Sequence, residues 1–286
     1  MTDTAARSEL RTEPFDSAEA RLLHALFQGD GATAVAQFAG EPNLDANVVG
    51  RVTGAEAMAA LAQRWAGVFG LEGPVTVVYR DRSAAGSRSF TEAQVEVAGP
   101  DGPVVLPIGI MGLFADDSRS GGIERAHVYF YEKPVNGSDA VRVSSYELEG
   151  TERLISSAEL SGANQRYLAA VEALDLEGVL ATFSDDATVE IGTSVIRTDQ
   201  IPRLYQQFIS EEVKLFFSSQ IDDGRGLVVE WASGHLDPQA SGVGIYVYDG
   251  NGGLRSIRMY DHFDPSLVPG LELEPIRLGA EQGQQR

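Results

Sequence analysis

Residues 122–134 of this chain read GIERAHVYFYEKP, and residues 253–265 read GLRSIRMYDHFDP. Each stretch closes a segment that runs through the same order of patterns, first helical and then β-rich. A chain that writes one design twice folds as two like units, each with its own interior. Comparing one copy with the other then shows where the two have diverged.

The second copy opens with Tyr167, Leu168, Val171 and Leu174, spaced as one face of a helix. Leu176, Val179, Leu180 and Phe183 form a second, shorter stripe. Thr198 reads as an N-cap, with Pro202 in the first turn, and Ile201, Leu204, Tyr205 and Phe208 make a third stripe. The period then changes to that of strands, expected at 213–220, 226–233, 242–248 and 254–263, with Asp-Gly and Gly-Gly turns between them. In the first copy Asp16 reads as a cap with Glu19 three residues on, ahead of Leu22, Leu23, Leu26 and Phe27. Ala34, Val35 and Phe38 follow, then Met58, Leu61, Trp65 and Phe69. Strands are expected at 75–82, 89–98, 104–114 and 123–132.

Helices followed by a sheet predict an α+β fold of two tandem cone-shaped domains, each with three helices packed on a curved antiparallel sheet. The expected divisions are a disordered start at 1–14, a first domain at 15–134, a linker at 135–160, a second domain at 161–268 and a loose tail at 269–286. A curled sheet closed by helices leaves an apolar cavity, a common small-molecule site. A net charge of −20 repels phosphate backbones and anionic membranes, so no nucleic-acid or membrane partner is expected. The absence of cysteine excludes disulfides and thiolate chemistry. No long apolar run and a polar start give no membrane span or signal peptide, which predicts a cytoplasmic protein. The four histidines show no metal-binding spacing, so no metal is expected, and the glycine-rich runs read as turns rather than cofactor loops.

Residues 165–192, QRYLAAVEALDLEGVLATFSDDATVEIG, resemble the opening of steroid Δ-isomerases and SnoaL-like polyketide cyclases, members of the cystatin-like cone fold named for nuclear transport factor 2. The MYDHFDP ending resembles that of limonene-epoxide hydrolases, and the tandem arrangement is similar to that of epoxide-opening polyether cyclases. The resemblance places Tyr167 where the isomerases keep an oxyanion-donating tyrosine, and Asp261 where the cyclases and hydrolases keep a last-strand aspartate. It also exposes departures. The isomerase base position holds Ile191, with Glu190 one residue away on the opposite side of a strand. The second isomerase acid falls near Gly244, and the hydrolase Arg and Asp fall near Trp231 and Ser233. The first copy has Leu22 and Phe130 at the places of Tyr167 and Asp261.

Asp261 shares an apolar strand face with Ile257 and Met259, where a carboxylate has a raised pKa and can act as acid or base. Glu230 and Trp231 are neighbours on a strand, so one of them points inward. These residues define the expected site: Asp261 and Tyr167 catalytic, with Trp231, Ser233, Glu230, Ile191, Met259 and Phe208 lining the second pocket. Trp65, Phe130, His127, Asp45 and Asn47 are assigned to the first. The implied activity is cofactor-free cyclisation or epoxide opening of a small apolar, polyketide-type molecule. The alternative is a non-catalytic binding or interaction protein. The two halves are expected to pair as a dimer within one chain.

Overall fold

The computed structural model describes residues 11–46, 49–72, 75–99, 102–131, 133, 160, 162–212, 215–233, 241–260 and 263–277. The first half runs α1 (Ala18–Gln28), α2 (Gly31–Ala36), β1 (Asn43–Ala46), β2 (Gly50–Thr53), α3 (Ala55–Val68), β3 (Val77–Ala85), β4 (Arg88–Gly99), β5 (Gly102–Phe114) and β6 (Ile123–Phe130). The second half runs α4 (Gly162–Glu172), α5 (Leu176–Leu180), β7 (Phe183–Ile191), β8 (Ser194–Arg197), α6 (Ile201–Ser210), β9 (Leu215–Asp222), β10 (Gly226–Ser233), β11 (Ser241–Tyr248), β12 (Leu254–Tyr260) and β13 (Glu274–Pro275). The expected linker lies outside the described residues, Leu160 excepted.

The sheets are ordered β2-β1-β6-β5-β4-β3 and β13-β8-β7-β12-β11-β10-β9. Apart from β13 the order is identical, so the repeat is a repeat of topology. Two expectations are corrected. The sheets are mixed rather than antiparallel: β1 lies parallel to β6, and β7 parallel to β12. The last strand of each meander returns beside the first in the same direction. The hairpins β1–β2 and β7–β8 were also not anticipated: β1, β2 and β8 have four residues each, too few to display a period, and Phe183, read as the end of a helical stripe, opens the nine-residue β7.

Helix starts follow local chemistry. Ser17, not Asp16, is the N-cap of α1, and its hydroxyl bonds Glu19 rather than a backbone amide. Asp16 pairs instead with Arg21 at 2.7 Å. Thr198 opens a 3-10 turn that leads into α6, its hydroxyl donating to the Ala187 carbonyl. Pro202 sits in the first turn of α6, where its missing N–H costs nothing. The tail expected from residue 269 is attached as far as Ile276. There β13 pairs with β8, Ile276 is buried, and Leu271 and Leu273 pack on the second core.

Each sheet is buried on both faces, by its own helices on one side and by the other half on the other. Phe90, Met111 and Tyr129 of the first sheet meet Ile221, Val228, Val243, Ile245 and Tyr260 of the second. β4 meets β12 and β6 meets β10 through paired side chains, an exchange that reads the same from either half. Double burial explains why β5 and β11 read as nearly continuous apolar runs.

Candidate functional site

The second cone holds a cluster of three tyrosines. Tyr167 comes from the inward face of α4, Tyr205 from α6 and Tyr246 from β11. The hydroxyls of Tyr167 and Tyr205 are 2.6 Å apart, with the rings edge-on at 6.0 Å. Tyr246 lies 5.1 Å from the Tyr167 ring, and its hydroxyl also bonds Tyr167. Room for Tyr246 comes from Gly244: a Cβ there would fall 2.9 Å from the Tyr246 ring and 3.0 Å from its hydroxyl. The Tyr246 ring and hydroxyl therefore take the space that a side chain at Gly244 would need.

The wall around this cluster is apolar. Ile191, Val189, Ile257, Leu227 and Trp231 belong to the same buried group, with Met259 and Phe208 packed against it. Phe183 stands edge-on to Tyr167 at 6.1 Å, and Phe208 packs on Phe263 at 4.8 Å. Burial pushes the Tyr167 phenol well above its ordinary range, and the neighbouring Tyr205 adds to the shift. Burial raises Tyr205 as well, against the opposing effect of its bond from Tyr167. Both therefore stay protonated at neutral pH and can donate to an oxygen.

The first cone holds an aromatic cluster without the hydroxyls. Phe27 of α1, Trp65 of α3, Phe69 and Phe130 of β6 pack ring against ring at 4.9–6.5 Å. Trp65 and Phe130 thus sit in the core, and Leu22, in the place of Tyr167, is buried beside them.

Three residues assigned to pockets, His127, Glu230 and Asp45, lie elsewhere. His127 and Glu230 face each other across the two sheets, with Nδ1 of His127 2.7 Å from the Glu230 carboxylate. The Tyr129 hydroxyl donates to the same carboxylate. Asp45 is buried in direct register with His127 on the parallel neighbour strand, so it belongs to this face too. The reason is strand phase: Trp231 points into the cone, so Glu230 must point away from it. Glu190 likewise points away from its cone, and Arg80 of the first half holds it through two bonds of 2.5 and 2.7 Å. Asp261 and Asn47 lie outside the described residues, and the side chain of Ser233 does as well. Tyr205 and Tyr246 were missed as site residues, because a tyrosine on an apolar stripe reads as core.

Among the described residues no group of three or more His, Cys, Asp or Glu could hold a metal. No described helix is long and apolar enough to cross a membrane.

No family model matches the chain, and no curated protein does. Solved structures match parts of it. A candidate polyketide cyclase from Sinorhizobium meliloti is 15% identical, over 37% of this chain and 99% of its own, at a TM-score of 0.32. The epoxide hydrolase/cyclase-like enzyme SalBIII, of pyran-ring formation in the polyether salinomycin, is 19% identical over 37% and 91%, at 0.32. A protein with a ketosteroid isomerase-like fold from Catenulispora acidiphila, solved with trimethylamine, is 18% identical over 41% and 87%, at 0.33. Each match takes in most of a smaller relative and about two fifths of this chain.

Proposed function

We propose that the second half is the working half, and that its cone takes a small, largely apolar, oxygen-bearing molecule and converts it by cofactor-free acid–base chemistry. Ring closure and epoxide opening are the reaction types that fit. The observation that carries this reading is the group of three hydroxyls, Tyr167, Tyr205 and Tyr246, set in an apolar wall. Neutral, buried donors stabilise an oxygen as it gains negative charge, and they need no reorganisation to do so.

The proton donor in this proposal is Asp261. Its carboxylic acid gives a proton to the epoxide oxygen as that C–O bond breaks. A hydroxyl of the substrate forms the new C–O bond, and its proton restores the acid. The cone contributes by folding the substrate into a reactive shape. The first half serves as scaffold, in keeping with Leu22 and Phe130 standing buried in the places of Tyr167 and Asp261.

A second reading is binding without conversion. It is favoured by the 2.6 Å contact between the Tyr167 and Tyr205 hydroxyls, which are each other's hydrogen-bond partners. Small molecules extracted from purified protein and weighed before and after incubation separate the two readings. A transformed ligand supports catalysis, and an unchanged one supports binding. Asp261→Asn is expected to lose about 10²–10⁴-fold in rate, the usual worth of general acid–base catalysis. An unaltered rate removes Asp261 from the mechanism.

A further inference from the structure

Ile191 of β7 and Trp231 of β10 form part of the wall of the second cone, and both are buried in its core. Each follows a glutamate in the chain, Glu190 and Glu230. Alternation along a strand turns those glutamates to the opposite face, toward the first half. Both are buried there, and both are gripped by side chains of the first half. Arg80 of β3 holds Glu190 through a fork of two bonds, at 2.5 and 2.7 Å. His127 and Tyr129 of β6 hold Glu230, the histidine at 2.7 Å.

A third contact lies on the other side of Ile191. Gly192 has a φ of 59°, and a Cβ there would fall 2.9 Å from the Tyr131 ring. Tyr131 follows the end of β6 and packs in the first core. The first half therefore bears on both chain neighbours of Ile191, on Glu190 through Arg80 and on Gly192 through Tyr131.

The arrangement is not mirrored. Asp45 lies in register with His127, as Glu190 lies in register with Arg258. Glu92 is linked through Gly109 to Tyr129, as Glu230 is linked through Val243 to Tyr260. Asp45 and Glu92 are thus the counterparts of Glu190 and Glu230. The residues that follow them into the first core are Ala46 and Ala93. Alanine has no rotamer to hold, whereas isoleucine and tryptophan do.

We propose that the first half sets the shape of the second cone. Arg80, His127, Tyr129 and Tyr131 are positioning residues that hold Ile191 and Trp231 from behind, and so fix the size of ligand the cone admits. This inference rests on the reading of the second cone as a small-molecule site. Close-packed interiors transmit such displacements, and a change of one methylene in a pocket is worth about tenfold or more in discrimination.

The test compares two apolar ketones, cyclohexanone and the bulkier bicyclic decalone, titrated into the full chain carrying Trp65→Phe. Trp231 is then the remaining tryptophan, and its quenching reads ligand in the second cone. Arg80→Gln removes the charge on Glu190, and Tyr129→Phe removes one hydroxyl from Glu230. Each is expected to move the ratio of the two affinities about tenfold toward decalone. Tyr129→Phe changes one atom, so it decides the matter if Arg80→Gln does not fold. Leu61→Ala, a cavity in the first core on α3, should lower stability and leave the ratio unaltered. An unaltered ratio in either folded variant overturns the proposal, and so does an equal change in Leu61→Ala. Binding with an unaltered ratio leaves the proposed function standing. If neither ketone quenches Trp231, the second cone is no site for such molecules, and both readings fall.

Discussion

Tyr167 and Tyr205 depend on each other. Each hydroxyl is buried, and each supplies the other's partner at 2.6 Å. Tyr205→Phe leaves the Tyr167 hydroxyl short of that partner and is expected to destabilise the protein by about 1–3 kcal/mol. Replacing both with Phe should cost less than the sum of the single changes, which a double-mutant cycle in denaturant measures. In absorbance titration neither phenol should ionise at the ordinary tyrosine value of 10.0, because burial raises both. Phe130 plays a different part in the first cone, with Trp65 at 6.5 Å and Phe69 at 4.9 Å and no exposure at all. Phe130→Ala is expected to cost about 3–5 kcal/mol of stability by leaving a cavity in the aromatic cluster, as read by chemical denaturation.

At the level of strands, the two halves place equivalent groups at equivalent points of their shared interface. Glu92 on β4 accepts from the Arg258 guanidinium, Nε at 2.8 Å, and from the Tyr260 hydroxyl at 2.5 Å, both on β12. Glu230 on β10 accepts from His127 and Tyr129 on β6. The copies differ in the basic partner, arginine in one and histidine in the other. Buried ion pairs add little net stability over an apolar contact, but breaking one is expensive. Glu92→Gln leaves the buried Arg258 charge with only the looser Asp81 carboxylate at 3.9 Å and is expected to cost about 3 kcal/mol, measured by urea unfolding. Such pairs also fix register, since a one-residue slip of a strand would turn each charge into an apolar cone.

For the whole molecule, the interface couples the halves. Sheet packs on sheet, and Lys133–Asp264 at 2.7 Å and Arg225–Asp81 at 3.2 Å add ties at its margin. The halves should therefore melt as a single transition by calorimetry, and two separate transitions would contradict the packing. Acid should weaken this assembly. Burial alone would raise the Glu190 carboxyl, but the charge and bonds of Arg80, with help from Arg258, outweigh it and hold the group below the ordinary 4.5. The folded state thus binds the proton less readily than the unfolded one. The contribution of Glu190 is complete well above pH 4.5 and is lost as pH falls through and below it. Glu190→Gln should lower stability at neutral pH and flatten its fall below about pH 5, in melts taken across the acid range.

Much of the architecture is legible in the residues themselves. The repeated closing strands, the apolar stripes of α1, α3, α4 and α6, and the helix-then-sheet order are local signals, and local signals set secondary structure and count the units. The sites were legible only in part. Tyr167 stood out only because the resemblance to the isomerases places an oxyanion-donating tyrosine there. Its partners Tyr205 and Tyr246 did not, because nothing in their own stretches says that three hydroxyls meet. Period-two alternation tells that Glu230 and Trp231 face opposite ways. It cannot say which way is in when both faces of the sheet are buried. That choice, and with it the removal of His127 and Glu230 from any cone, was made by one half packing on the other. Arg80 and Glu190 likewise meet only through the fold, because they lie in different halves of the chain. Periodicity describes how a segment presents its side chains; which neighbour receives them is a property of the assembled tertiary structure.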